Sequence, residues 1–186
     1  MDKFSTREII TSKCKCLTPT YRINAEQHIF KNALPLLEVA QKIAIYKAYS
    51  WEAGLGPLIN FSLSHDKELY QPIAYKHKKD MLFEPYTPEV APIFTEKENT
   101  KQHNNSLQWY NLDLIFLPLV AIDNAGYRLG KGGGYYDATL SKIKECSHPP
   151  ILCGVGYACQ IVEDICADTW DIKLNYFVSD NKLIKF

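Results

Sequence analysis

The sequence predicts an α/β fold: one layered domain over residues 1–186, a mixed sheet flanked by helices, and a glycine-rich phosphate loop after a central strand. Three observations carry this expectation. Short apolar strand patterns alternate with helical ones along the chain. A length of 186 residues suits one domain with a core of its own. Five of the nine glycines (Gly126, Gly130, Gly132, Gly133 and Gly134) follow directly after an apolar strand pattern, and open α/β sheets place their ligands beyond the carboxyl ends of strands.

The elements follow in order. The first 20 residues are polar and basic, with Pro19 expected as a stop, and Ala25 to Val39 reads as a helix interrupted near Pro35. Lys42 to Tyr49 alternates like a strand, and Leu55 to Ser64 suits a short helix opening near Pro57, whose fixed φ fits a first helical position. Glu68 to Tyr75 and Asp80 to Tyr86 read as strands of a hairpin joined by the basic turn Lys76-His77-Lys78-Lys79. That turn is either a solvated charge run or a contact for an anionic substrate tail. From Thr87 to Tyr110 periodicity is lost and a long loop is expected. Asp113 to Ala121 is a buried strand with Pro118 at an edge or strand end, Asp137 to Glu145 a helix, and Ile151 to Tyr157 a strand. Ile161 to Thr169 reads as a helix, and Tyr176 to Ser179 with Leu183 to Phe186 as closing strands.

Composition excludes several functions. Lysine plus arginine equals aspartate plus glutamate at 21 each, which argues against a nucleic-acid binder held by a general positive field. No apolar run approaches the roughly 20 residues of a membrane span, and the N-terminus lacks a signal-peptide core, so a cytoplasmic protein without membrane contact is expected. The 6 cysteines form no C-x-x-C pair, and Cys14-x-Cys16 has no second pair to complete a tetrahedral site, so reduced structural thiols are expected. The histidines are scattered and suggest neither a triad nor a zinc site.

The glycine block carries the chemistry. Glycine lets successive backbone N–H groups converge on an anion, a following helix N-terminus adds its dipole, and Arg128 and Lys131 supply positive charge. The spacing is not that of a Walker A loop, because Gly132 follows Lys131 where a hydroxyl residue is needed. It is not a dinucleotide fingerprint either, since Tyr135 stands where the third glycine belongs. The competing reading is a solvated turn.

The run Asp123-x-x-Gly126-x-Arg128-Leu-Gly-x-Gly-x-Gly-Tyr-Tyr-Asp137 closely resembles the signature of the 5-formyltetrahydrofolate cyclo-ligases, also called 5,10-methenyltetrahydrofolate synthetases. Weaker likenesses extend outward: Lys3 and Arg7 near the N-terminus, Glu52 within Ile43 to Ile59, and Gly154-Val-Gly-Tyr-Ala-x-Gln160 followed by Trp170-Asp171. The resemblance implies ATP-dependent closure of 5-formyltetrahydrofolate to 5,10-methenyltetrahydrofolate with release of ADP and phosphate. It implies ATP contacts from Lys3, Arg7, Arg128 and Lys131 and from the chain Leu129, Gly130, Gly132, Gly133, Gly134, Tyr135 and Tyr136, with Arg128 and Lys131 as the catalytic pair. Folate contacts would come from Trp51, Glu52 and Tyr136, and Mg2+ would be held by Asp137 and Asp171. For Asp137 the alternative is a helix N-cap, for Asp171 a turn former, for Arg128 a loop-bracing ion pair, and for Trp51 a surface aromatic. Gln160 matches a family position without a deducible role.

The family's apolar-x-Glu-Pro segment before the central strand is replaced by Thr95-Glu-Lys-Glu-Asn-Thr-Lys-Gln102, which places that loop's contacts in question. The expected protein is a monomer acting on a small molecule. Two rivals stand beside it: a folate-binding protein of the same fold without turnover, and an ATP-dependent ligase with a different acyl substrate.

Overall fold

The computed structural model describes residues 2–74, 78–88 and 105–186. Two helices open the chain: α1 (Lys3–Lys15), capped by Asp2, whose carboxylate accepts from the Phe4 and Ser5 N–H groups, and α2 (Pro19–Val39). Pro19 therefore starts a helix instead of stopping one. Thr18 caps α2 by accepting from the Tyr21 N–H, and proline at a first helical position gives up only an amide that has no helical partner. Pro35 does not interrupt α2 either. It lies on the exposed side, where water can satisfy the carbonyl that its missing N–H leaves behind, while Ala25, Ile29, Ala33, Leu36 and Leu37 form the buried stripe.

The remaining order is β1 (Lys42–Ala44), α3 (Gly56–Ser64), β2 (Glu68–Ile73), β3 (Leu82–Pro85), β4 (Leu114–Pro118), β5 (Ala121–Asp123), β6 (Arg128–Leu129), α4 (Tyr135–Thr139), β7 (Ile151–Val155), β8 (Ile161–Val162), β9 (Tyr176–Val178) and β10 (Leu183–Lys185). Among the described residues the main sheet has the strand order β10-β9-β7-β4-β1-β2-β3. Its inner strands are parallel, and β3 and β10 pair antiparallel at the two edges, which makes the sheet mixed. A small sheet β6-β5-β8 stands beside it.

Strand β4 shows why the centre of the sheet reads as a continuous apolar run. Leu114 and Phe116 enter the cluster that includes Ile10, Ile29 and Leu37 of the helices, whereas Ile115 and Leu117 enter the opposite cluster with Trp109, Leu140 and Phe177. Both faces are buried, so both side-chain sets are apolar.

Several expected boundaries move. The strand over Asp113 to Ala121 divides at Pro118 into β4 and β5, because a proline cannot donate to a central ladder. The strand over Lys42 to Tyr49 shrinks to β1. The helix over Asp137 to Glu145 is only the short α4, followed by a 3-10 turn at Ile143–Glu145. No helix forms over Ile161 to Thr169: β8 joins β5 in parallel and irregular chain follows, including Cys166 at a φ of 54°. Tertiary pairing overrides the local apolar period there. The departure at Thr95 to Gln102, most of the long loop and part of the basic turn lie outside the described residues.

Candidate active site

The glycine block is two devices in succession. Its first half is the β5–β6 hairpin, where the Asp123 carboxylate accepts from the Ala125 and Tyr127 N–H groups and Gly126 adopts a φ of 92°. A side chain at Gly126 would be strained by that φ and would also press on the Phe186 ring. The hairpin delivers Arg128 and Leu129 into β6 and leaves Gly130 to Gly134 to turn back toward α4. Gly132 and Gly134 have φ of 102° and 68°, the left-handed region glycine reaches without penalty. The N–H groups of Lys131, Gly132, Gly133 and Gly134 bond to no acceptor among the described residues, and the loop faces a cavity of about 1040 Å³. Pro118 and Leu119, at the carboxyl end of β4, form part of its wall.

The cations expected from the sequence reach this cavity, each already engaged. The Arg128 guanidinium lies 3.0 Å from Asp137 Oδ1 and is buried, its side chain 5% exposed. It also sits 5.9 Å from the centre of the Tyr136 ring. The loop-bracing ion pair is thus present, and it lies in the cavity wall. Lys131 Nζ is 2.6 Å from Glu52 Oε1 and 3.4 Å from the centre of the Tyr49 ring, and its side chain remains 38% exposed. Lys3 Nζ bonds Asp168 at 2.6 Å and Asp171 at 3.0 Å, and these carboxylates raise its pKa, the Asp168 hydrogen bond first, against a smaller opposing effect of burial. Arg7 Nε donates to the Gly130 carbonyl at 2.8 Å, so α1 holds the start of the glycine turn.

Asp137 is not an N-cap. The cap position of α4 belongs to Gly134, and the first Asp137 oxygen is taken by Arg128 and by the Ile172 N–H at 3.4 Å. That amide follows Asp171 directly, so the segments carrying the two expected magnesium residues meet although they are far apart in the chain. Asp171 spends Oδ2 on Lys3 and the Asp168 N–H. The other oxygen of each bonds to nothing among the described residues, and both residues line the cavity. One or two carboxylates with phosphate and water is the usual magnesium set, so these residues fit the ion. Among the described residues no group of three or more His, Cys, Asp or Glu forms an all-protein cage.

Of the residues expected to contact folate, Glu52 is buried and its second oxygen accepts from the Tyr49 N–H at 2.9 Å. Trp51 stacks on Tyr49 with ring centres 6.5 Å apart, and Tyr49 is the one of the two that lines the cavity. Tyr135 and Tyr136 both line it. Burial pushes the Tyr136 phenol well above its usual pKa, the Arg128 guanidinium pulling the other way, so this side chain remains a neutral hydroxyl.

Gln160 acquires a role that the sequence did not reveal. Fully buried, it donates to the Leu119 and Val120 carbonyls at 2.9 and 3.0 Å and accepts from the Tyr157 N–H at 2.6 Å. It fastens the bend through which the chain leaves β4 for the β5–β6 hairpin. Lys79 of the basic turn and Trp170 beside Asp171 line the cavity, as do Tyr49 and Asp168, for which the sequence offered no expectation. Their signal is weak, because each belongs to a segment remote from the glycine block.

The fold and the cavity define the class: an α/β domain with a cation-ringed cavity at the carboxyl ends of its parallel strands. More particularly, the chain belongs to the 5-formyltetrahydrofolate cyclo-ligase family, which matches residues 2–180. It is 35% identical over 164 residues to a 5-formyltetrahydrofolate cyclo-ligase of Haemophilus influenzae, covering 85% of this chain and 87% of that one. An Escherichia coli protein of the same name is 28% identical over 94% of this chain and 98% of its own. The solved structure of Aquifex aeolicus 5,10-methenyltetrahydrofolate synthetase is 27% identical with a TM-score of 0.80, covering 100% of this chain and 93% of that one.

Proposed function

We propose that the cavity closes 5-formyltetrahydrofolate to 5,10-methenyltetrahydrofolate with ATP, releasing ADP and phosphate. The observation that carries this reading is the exposed row of N–H groups from Lys131 to Gly134, ringed by Lys3, Arg7, Arg128 and Lys131, beside a buried carboxylate at Glu52. A cradle of convergent donors and cations holds a polyphosphate, and a carboxylate suits the donor edge of a pterin.

The chemistry needs both. The N10 amine must displace the formyl oxygen, which leaves poorly from carbon. If that oxygen attacks the γ-phosphorus, the bond from phosphorus to ADP breaks and the formyl carbon becomes an iminium bearing a phosphate ester. N10 then bonds to this carbon, loses its proton, and phosphate departs with the oxygen. The protein positions the partners and neutralises charge.

Arg128, fixed by Asp137, is a pre-set clamp. Lys131 is a movable one: drawn onto phosphate, it releases Glu52 toward the pterin, so nucleotide binding prepares the folate contact. Magnesium, held by Asp137 and Asp171, would add positive charge at the phosphates. We further take the protein to be a cytoplasmic monomer without a nucleic-acid partner.

The test mixes purified protein, ATP, magnesium and 5-formyltetrahydrofolate and follows the near-ultraviolet absorbance of the conjugated methenyl product. Substrate labelled with heavy oxygen in the formyl group should carry the label into released phosphate. Product formed with unlabelled phosphate would refute the phosphorylated intermediate, and absence of product would refute the activity.

A further inference from the structure

The cations expected from the sequence do not by themselves leave a positive cavity. Arg128 is matched by Asp137, Lys131 by Glu52, and Lys3 stands between Asp168 and Asp171, so with Arg7 added these charges cancel one for one. A triphosphate carries roughly four negative charges, about two of which remain once one magnesium ion is bound, and this set holds no surplus to meet them. The surplus comes from elsewhere in the lining, from Lys79 and Lys144.

Lys79 is the better placed of these. Its Nζ lies 3.8 Å from where a Cβ on Gly134 would stand, so its ammonium is beside the last glycine of the cradle. Its main chain is clasped to α4 by Thr139: the Thr139 hydroxyl accepts from the Met81 N–H at 2.9 Å and lies 3.5 Å from the Lys79 carbonyl. The same hydroxyl donates to the Tyr135 carbonyl at 2.7 Å. Thr139 is buried, so one side chain ties the segment bearing Lys79 to the helix that the glycine turn enters. No carboxylate among the described residues pairs with Lys79, and the side chain is exposed to the cavity. A lysine whose backbone is anchored and whose ammonium meets no carboxylate among the described residues can contact an anion at the cradle without breaking an ion pair to any of them.

We infer that Lys79, on the segment preceding β3, is an additional phosphate-binding residue of this site, contacting the ATP polyphosphate at Gly134. This rests on reading the cavity as the ATP site and adds a cation from outside the glycine block.

The experiment is calorimetric titration of the full-length chain with ATP, inorganic triphosphate and 5-formyltetrahydrofolate bearing one or several glutamates. Wild type is compared with Lys79→Ala, Lys79→Arg and, as a control for losing one positive charge, Lys142→Ala. Loss of one charge-assisted contact should weaken ATP and triphosphate by about tenfold to a hundredfold in Lys79→Ala. Lys79→Arg should recover most of that loss, Lys142→Ala should stay within about threefold of wild type, and folate affinity should not change. Unchanged ATP and triphosphate affinity in Lys79→Ala overturns the inference. So does a loss confined to the folate with several glutamates, which would assign Lys79 to the folate tail. Failure of the wild-type chain to bind ATP would instead refute the reading of the cavity itself.

Discussion

The two ion pairs flanking the glycine turn are built in opposite ways. In the Arg128–Asp137 pair the cation is buried, 5% exposed, and its carboxylate partner is 28% exposed. In the Lys131–Glu52 pair the carboxylate is buried, 3% exposed, and the cation is 38% exposed. A buried guanidinium bound to Asp137 and reaching the Ile172 carbonyl is part of the wall. A half-exposed ammonium on a flexible stem, resting on aromatic rings, can change partner at small cost. The first pair is a frame and the second a latch.

Breaking the frame should have the largest effect. Arg128→Ala should lower kcat/KM about a hundredfold or more, from loss of a charge-assisted contact to the transferring group. It should also destabilise the fold by about 2 kcal/mol, less than a fully buried pair because Asp137 keeps access to water. Steady-state kinetics and denaturant unfolding read the two effects, and normal kinetics would remove Arg128 from the site.

The latch predicts a separation of the same two readouts. Lys131→Ala should lower kcat/KM about tenfold to a hundredfold and cost about 1 kcal/mol, because Glu52 is left buried and unpaired. Adding Glu52→Gln should restore most of the stability and none of the activity. Additive losses of stability in that double-mutant cycle would show that the two side chains do not act as a pair.

Asp137→Asn sharpens the comparison from the carboxylate side. It keeps an acceptor for Arg128, so stability should fall by only about 1 kcal/mol or less, while the magnesium concentration for half-maximal turnover should rise several-fold. Unchanged magnesium dependence would leave Asp137 as the partner of Arg128 and nothing more. The smallest effect belongs to Gly132→Ala. Nothing stands within 4 Å of the added Cβ, so only the φ of 102° opposes it, and thermal unfolding should register about 1 kcal/mol.

What the sequence by itself determined is what lies close along the chain. The glycine turn is legible because glycines, cations and Asp137 sit within a few residues of one another, and its φ demands are met by residue type alone. Strand β4 and the body of α2 are legible for the same reason, since a continuous apolar run and a helical period are local quantities. Only the tertiary structure decided which carboxylate faces which cation. Glu52 reaches Lys131, Asp171 reaches Lys3, and Lys79 reaches Gly134 through packing of elements far apart in sequence. It also decided that Ile161 and Val162 pair with β5 instead of forming a helix, and that Gln160 holds the bend after β4. A short apolar segment suits helix and strand alike, and the neighbour that offers it hydrogen bonds decides between them.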